Sequence, residues 1–409
     1  MDEIRLAAEN LKGIVAVTPL QRNNNLSERY QADVWLKRED LQQVRSYKIR
    51  GAFNKIQSLS AEERLRGVVC ASAGNHAQGV ASACSTLGIK GTIFMPVPTP
   101  NQKVRQVKMF GGEYVDVVMV GDSFDDAYRE SSLFCESRGA VFIHPFDDEQ
   151  VIAGQATIAL ELFEQLPDPD FIFIPIGGGG LASGICSVSK VLSPSTRLIG
   201  VEPEGAPSMK YSIEKGEVVT LPKIDNFVDG AAVKRVGNIA FPICRDHLAD
   251  LLAVPEGRIC SVILRLYNED AIVAEPAGAL SIAALDQYAQ QIKGKKVVCV
   301  VSGSNNDITR MEEIKERSLL YEGLKHYFIV RFPQRAGALR EFLERVLGPS
   351  DDIAHFEYSK KNSREHGSAV IGIELQRKED FKPLIKRMKN HSLTFEYLNR
   401  RPELFQFLV

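Results

Sequence analysis

The sequence predicts an α/β protein of two open, mostly parallel sheets with helices on both faces, followed by a smaller α+β unit. Three observations predict it. Short continuous apolar runs, such as Phe171-Ile172-Phe173-Ile174 and Val297-Val298-Cys299-Val300-Val301, recur between helical patterns. Strands that are apolar on both sides belong to a parallel sheet covered on both faces. The alternation runs to about residue 150 and then begins again, giving two layered sheets. Near residue 323 the element order changes, and residues 324–409 carry 16 Lys+Arg against 11 Asp+Glu in a chain whose net charge is -2.

A chain of 409 residues is too long for one core and divides into two or three domains. Apolar residues at 44% and charged residues at 25% are a globular balance. The small net charge gives no general attraction to nucleic acid or anionic membrane. No apolar run reaches the roughly 20 residues of a membrane span, and Met1-Asp2-Glu3-Ile4-Arg5-Leu6 lacks a basic-then-apolar leader. The expectation is a cytoplasmic protein with no nucleic-acid or membrane partner. Seven scattered cysteines without a Cys-x-x-Cys pair read as buried reduced thiols, with no metal site.

In chain order, residues 1–13 carry apolar side chains at threes and fours, an amphipathic helix that Thr18-Pro19-Leu20 ends. Val34-Trp35-Leu36-Lys37 reads as a strand. Gly67 to Cys70 is a buried strand, Asn75 to Leu87 a small-residue helix, and Gly91 to Met95 a strand stopped by Pro96. Asn101 to Phe110 is helical, Tyr114 to Val118 a strand, and Ser123 to Ser137 a helix with Asp122 as N-cap. Val141 to Ile143 is a strand, about 149–165 a helix, and Phe171 to Ile176 a strand; a helix then runs to Leu192, followed by strand Leu198 to Val201. Lys296 to Val301 is a further buried strand. In the tail, strands at Tyr327 to Arg331, Ile353 to Tyr358, Ser368 to Leu375 and Thr394 to Glu396, with helices at Gly337 to Val346 and Asp380 to Lys389 and a polar turn at Lys360-Lys361-Asn362-Ser363, give a β-α-β-β-α-β order. That order is ferredoxin-like.

Four loops carry candidate chemistry, and parallel sheets bind ligands at strand C-terminal ends. The first is Ser46-Tyr47-Lys48-Ile49-Arg50-Gly51-Ala52, whose Lys48 is by itself one basic residue among 50. The second, Ser72-Ala73-Gly74-Asn75-His76, enters a helix whose free backbone amides suit a carboxylate; an ordinary capped turn with a packed His76 is the plainer alternative. The third, Gly177-Gly178-Gly179-Gly180-Leu181, lets backbone amides wrap a phosphate. It also fits a dinucleotide fingerprint through Gly177, Gly179 and Ala182, with Glu202 twenty residues on as a ribose acid. That alternative, a nicotinamide oxidoreductase, leaves Lys48 and Asn75 without a role. The fourth, Ser302-Gly303-Ser304-Asn305-Asn306, is either a capping turn or a hydroxyl placed for a ring nitrogen.

Taken together, Ser-Tyr-Lys-Ile-Arg-Gly-Ala (46–52), Ser-Ala-Gly-Asn-His-Ala-Gln-Gly (72–79), the four glycines with Leu181, Ala-Glu-Pro-Ala-Gly-Ala (274–279) and Val-Ser-Gly-Ser-Asn (301–305) resemble the pyridoxal-phosphate enzymes of the tryptophan synthase β-subunit type, most closely the threonine dehydratases. The resemblance covers about residues 5–320. Phe332-Pro333-Gln334-Arg335-Ala336-Gly337-Ala338-Leu339 resembles the single ACT-like regulatory domain of that family, with Ala336 where the family often has proline.

The resemblance implies pyridoxal phosphate joined to Lys48 as a Schiff base, its phosphate on the amides of Gly177, Gly178, Gly179, Gly180 and Leu181. It implies Asn75 at the cofactor's 3-hydroxyl, Ser302 at the ring nitrogen, and the substrate carboxylate on Ser72, Ala73, Gly74, Asn75 and His76. Lys48 would then take the Cα proton. Glu275 either serves the site or a bound cation, or is a helix-start acid before Pro276.

The implied activity is dehydration and deamination of L-threonine, with L-serine as the alternative substrate, in isoleucine biosynthesis. The implied effector is isoleucine, with valine as an alternative, and the implied assembly a homotetramer. A catabolic threonine/serine dehydratase or a serine racemase shares the core motifs. A non-catalytic amino-acid sensor using the tail alone is opposed by Lys48. The expected organisation is a catalytic domain at 1–322, with a large subdomain at 1–45 and 146–322 and a small one at 46–145, then an ACT-like domain at 324–409.

Overall fold

The first part of the chain carries the strands β1 Leu20–Arg22, β2 Asp33–Arg38, β3 Val68–Ala71, β4 Gly91–Met95, β5 Val115–Met119, β6 Val141–Phe142, β7 Phe171–Pro175, β8 Arg197–Pro203, β9 Asp250–Val254 and β10 Lys296–Val301. This is a computed structural model, and it describes residues 1–333, 335–359 and 366–401. Gln334 and the expected turn Lys360-Lys361-Asn362-Ser363 lie outside the described residues.

Six strands form one sheet in the order β1-β2-β10-β7-β8-β9. Only β1 runs antiparallel to its neighbour; the rest are parallel. Four strands form a second, all-parallel sheet, β5-β4-β3-β6. The strand β2 pairs with β10, some 260 residues later in the chain. Local periodicity carries no trace of that partnership.

Both sheets are buried where the sequence is continuously apolar. Each residue of β7 and of β3 is buried. One core joins Ile172, Ile174, Val298 and Val300 to the helices Glu149–Gln165 and Gly180–Leu192 through Ala156, Ala159, Leu181 and Ile185. A second joins Val68, Cys70 and Ile93 to the helices Lys48–Gln57 and Asn75–Leu87 through Phe53, Ile56, Val80 and Ala81. Burying each of the larger aliphatic side chains contributes about 1.5–3 kcal/mol. Six of the seven cysteines are buried. Burial pushes the Cys84 thiol up to about 12.

Two local expectations are corrected. The helix Phe124–Arg138 is capped by Ser123, not Asp122. The Ser123 hydroxyl accepts from Asp126 N at 3.2 Å, and the Asp126 carboxylate accepts from Ser123 N at 3.1 Å. A capping box needs its acid three residues on, which fits Ser123. Tyr114 belongs to a 3-10 turn, Gly112–Tyr114, rather than to strand β5.

The second compact unit spans Ile308–Val409. Its strands β11 Lys325–Pro333, β12 Asp352–Ser359, β13 His366–Glu374 and β14 Thr394–Tyr397 form an antiparallel sheet ordered β12-β13-β11-β14. Helices Ala338–Arg345 and Phe381–Asn390 bury Phe342, Leu384 and Met388 against Phe328, Val330 and Ile371. The order is the β-α-β-β-α-β expected. The compact units divide at 307/308. Helix Met311–Glu322 packs within the second unit, where Glu316 holds Lys325 at 2.5 Å and accepts from the Tyr327 hydroxyl at 2.9 Å. Among the described residues no helix is long and apolar enough to cross a membrane.

Candidate active site

Ser46, Tyr47, Lys48, Arg50 and Gly51 each have a physical task. Ser46 pairs with Gly303 in an isolated antiparallel bridge, Tyr47 N donates to Ser302 O at 3.2 Å, and Ser304 N donates to Arg45 O at 2.8 Å. The lysine loop and the loop after β10 are thereby laced together. Arg50 is fully buried between Glu39, at 2.8 Å, and Glu161, at 2.6 Å. Stranding one member of such a buried group costs about 3–5 kcal/mol, so the helix cannot shift cheaply. A Cβ on Gly51 would sit 2.3 Å from Gln155 Nε2 and 2.7 Å from Val151 O. Only glycine lets helices Lys48–Gln57 and Glu149–Gln165 approach so closely.

Lys48 opens its helix with its amine donating to Pro145 O at 2.8 Å. Burial pushes the amine down from its ordinary value to about 8, partly opposed by the negative charge of Glu275.

Asn75 starts the next helix, and its amide is held from both ends. Its Nδ2 donates to Glu275 Oε1 at 2.6 Å, and its Oδ1 accepts from Asn305 Nδ2 at 2.6 Å. Asn305 Nδ2 also donates to Val44 O at 2.9 Å. The amide orientation is fixed, and an Nδ2 bearing two protons keeps one donor for a further acceptor. Glu275 is the N-cap of helix Pro276–Ala283, but its side chain makes no capping bond and turns to Asn75 instead. Burial, then Asp229, pushes its carboxyl up to about 7.

In the Ser72–His76 loop, Gly74 N donates to the Ser72 hydroxyl at 3.2 Å. The His76 ring is buried against Ile143 O at 2.8 Å, and burial pushes it down to about 3. It is a neutral packed side chain, so any ligand contact from His76 comes through its backbone amide.

The glycines follow β7, with Gly179 at φ 93° immediately before helix Gly180–Leu192. A helix of 13 residues presents unpaired first-turn amides and a positive end. A Cβ on Gly178 would sit 2.3 Å from the Phe146 ring, and one on Gly180 2.8 Å from Phe146 O. The Leu181 side chain is in the core, leaving only its amide for a ligand. Ser302 is buried at the end of β10.

The dinucleotide alternative is contradicted at Glu202. Its carboxylate is fully buried and accepts from Met209 N at 2.7 Å and Lys210 N at 2.9 Å, at the start of helix Ser208–Lys215. It has no oxygen to offer a ribose, and burial pushes it up to about 8. Among the described residues no group of three or more His, Cys, Asp and Glu is placed to hold a metal.

These groups fit pyridoxal phosphate. A buried, partly neutral amine suits the carbonyl, and a glycine-only helix start suits the phosphate. Asn75 retains a donor for an oxygen at the ring edge. Sequence reasoning missed the segment His144-Pro145-Phe146-Asp147, which supplies the acceptor for Lys48 and the ring against Gly178. The only signal was its place after strand β6.

Residues 11–303 match the family described as pyridoxal-phosphate dependent enzyme. Residues 316–408 match the family described as the C-terminal regulatory domain of threonine dehydratase. The chain is therefore a pyridoxal-phosphate dependent enzyme with a regulatory domain. The biosynthetic L-threonine dehydratase IlvA of Bacillus subtilis is 57% identical over 404 residues, 98% of this chain and 96% of that protein. That of Staphylococcus aureus is 52% identical over the same shares. The processed form of threonine deaminase isoform 2 from Solanum lycopersicum superposes with a TM-score of 0.73 at 38% identity, over 78% of this chain and 94% of that one. Maize serine racemase superposes at 0.72 and 33% identity, over 78% and 98%. The chain belongs to the threonine dehydratases (threonine ammonia-lyases) of the biosynthetic type.

Proposed function

We propose that the chain converts L-threonine to 2-oxobutanoate and ammonia as the first step of isoleucine biosynthesis, with isoleucine as the effector bound by residues 324–409. The observation that carries the reading is the buried Lys48 amine, which donates to Pro145 O in the same short segment whose Phe146 ring lies against Gly178. When bound, pyridoxal phosphate supplies an electron sink conjugated to the substrate's Cα. The amides of Gly177 to Leu181 would hold its phosphate, Asn75 Nδ2 would donate to its 3-oxygen, and the Ser302 hydroxyl would face its ring nitrogen. A neutral hydroxyl at that position would leave the bound group a weaker electron sink than a carboxylate would. The amides of Ser72 to His76 hold the substrate carboxylate. Lys48 Nζ takes the Cα proton, and burial keeps a share of that amine neutral near pH 7.

The catalytic domain proper is assigned to 1–322, with subdomains at 1–45 plus 146–322 and at 46–145. The proposed enzyme is a cytoplasmic homotetramer, as the motif resemblance implies. A second reading, serine racemase or dehydratase activity, has support in the likeness to the maize enzyme, whereas the regulatory domain speaks for the biosynthetic role. Turnover of L-threonine and of L- and D-serine, each with and without isoleucine, tests this: threonine should be the preferred substrate and isoleucine should inhibit. Equal turnover of serine without an isoleucine effect would reverse the assignment.

A further inference from the structure

The segment after β6 ties three parts of the site together, and one imidazole holds it in shape. His144 Nδ1 accepts from Phe146 N at 3.2 Å and from Asp147 N at 2.7 Å. This is the side-chain turn that Asn and Asp usually make, here made by a ring nitrogen. The His144 ring stands edge-on to Phe146, centroids 4.7 Å apart at 89°. Within the turn, Pro145 O accepts from Lys48 Nζ and the Phe146 ring lies against Gly178. Asp147 closes it, accepting from Asn238 N and Ile239 N, each at 2.9 Å, while Gly237 N donates to Gly178 O at 3.0 Å.

We infer that His144 is a positioning residue: through Nδ1 it fixes the carbonyl of Pro145, and that carbonyl orients the free amine of Lys48 for proton transfer. A neutral amine has two N–H bonds and one lone pair. Committing one N–H to a fixed acceptor restricts where the lone pair points. The same turn seats Phe146 against the glycine loop, so cofactor retention and base orientation depend on one ring. The imidazole can do this only while Nδ1 is unprotonated. Burial and the cation of Lys48 hold His144 below its ordinary range, against the opposing charges of Asp147 and Asp148; the neighbouring His76 is neutral.

The inference rests on Lys48 being the cofactor anchor and base. The test compares holoenzymes of His144→Leu, which lacks an acceptor, and His144→Asn, whose Oδ1 can accept from the same two amides. His144→Leu should lower kcat by about tenfold or more, with KM nearly unchanged. It should also release pyridoxal phosphate faster on dilution, followed by absorbance. His144→Asn should recover most of both. If His144→Leu does not fold, His144→Gln, whose acceptor stands one methylene too far, takes its place. Wild-type kcat and cofactor release in the acceptor-less variant would overturn the inference, as would an Asn variant no better than Leu. Borohydride labelling of each variant separates the two claims: label on Lys48 with unchanged kinetics sinks the role of His144, while label elsewhere sinks the role of Lys48.

Discussion

At Lys48 the decisive quantity is the cost of burying a charge. The amine near 8 is mostly protonated at pH 7 and mostly free above pH 9, so turnover limited by this base should rise through about pH 8 and then level. Glu275 opposes the shift, because a nearby anion favours the ammonium. Glu275→Gln keeps an oxygen for Asn75 Nδ2 but removes the charge. The acid limb of the kcat profile should therefore move to lower pH, by up to about one unit. A limb that stays in place, or moves up, would show that Glu275 does not act on the base electrostatically. The residue types at this site were legible as motifs, but the two-ended clamp on Asn75 was not. It joins residues 75, 275 and 305, which no spacing rule connects.

Among the elements, the helix Ser208–Lys215 shows how the molecule handles an acid it does not use for chemistry. The Glu202 carboxyl is held well above its unfolded value, at about 8. The folded state therefore binds more protons than the unfolded state between the two values. The stability this confers is complete below about pH 4.5 and is lost as pH rises through about 8. Glu202→Gln retains an acceptor for the helix amides and cannot ionise. The denaturant midpoint of the variant should fall less steeply from pH 5 to pH 9 than that of the wild type; parallel slopes would contradict the assignment. Elements of strong period were readable: the sequence expectation for helix Asn75–Leu87 and strand β10 matches the structure residue for residue. The stretch from 203 to 295 is less legible. Its strand β9 is only partly buried, and its helices Ser208–Lys215 and Ala240–His247 are too short for a clear period.

Across the whole chain, a catalytic unit of parallel sheets and an antiparallel regulatory unit each bury their own core. Isoleucine should inhibit threonine turnover, in steady-state assays at fixed threonine, and loss of that response with intact turnover is expected from substitutions in residues 324–409. A chain whose threonine turnover ignores isoleucine would refute the proposed effector. The alternation of strands and helices made the fold class legible. It could not show that β2 crosses to pair with β10, because register between distant strands is set by packing rather than by local pattern. All of this converges on one amine. Borohydride reduction of the holoenzyme, followed by peptide mapping, should place the pyridoxyl group on Lys48 alone, and Lys48→Arg should remove both label and turnover. A label on any other lysine, or turnover retained in Lys48→Arg, would contradict the assignment of Lys48 as anchor and base.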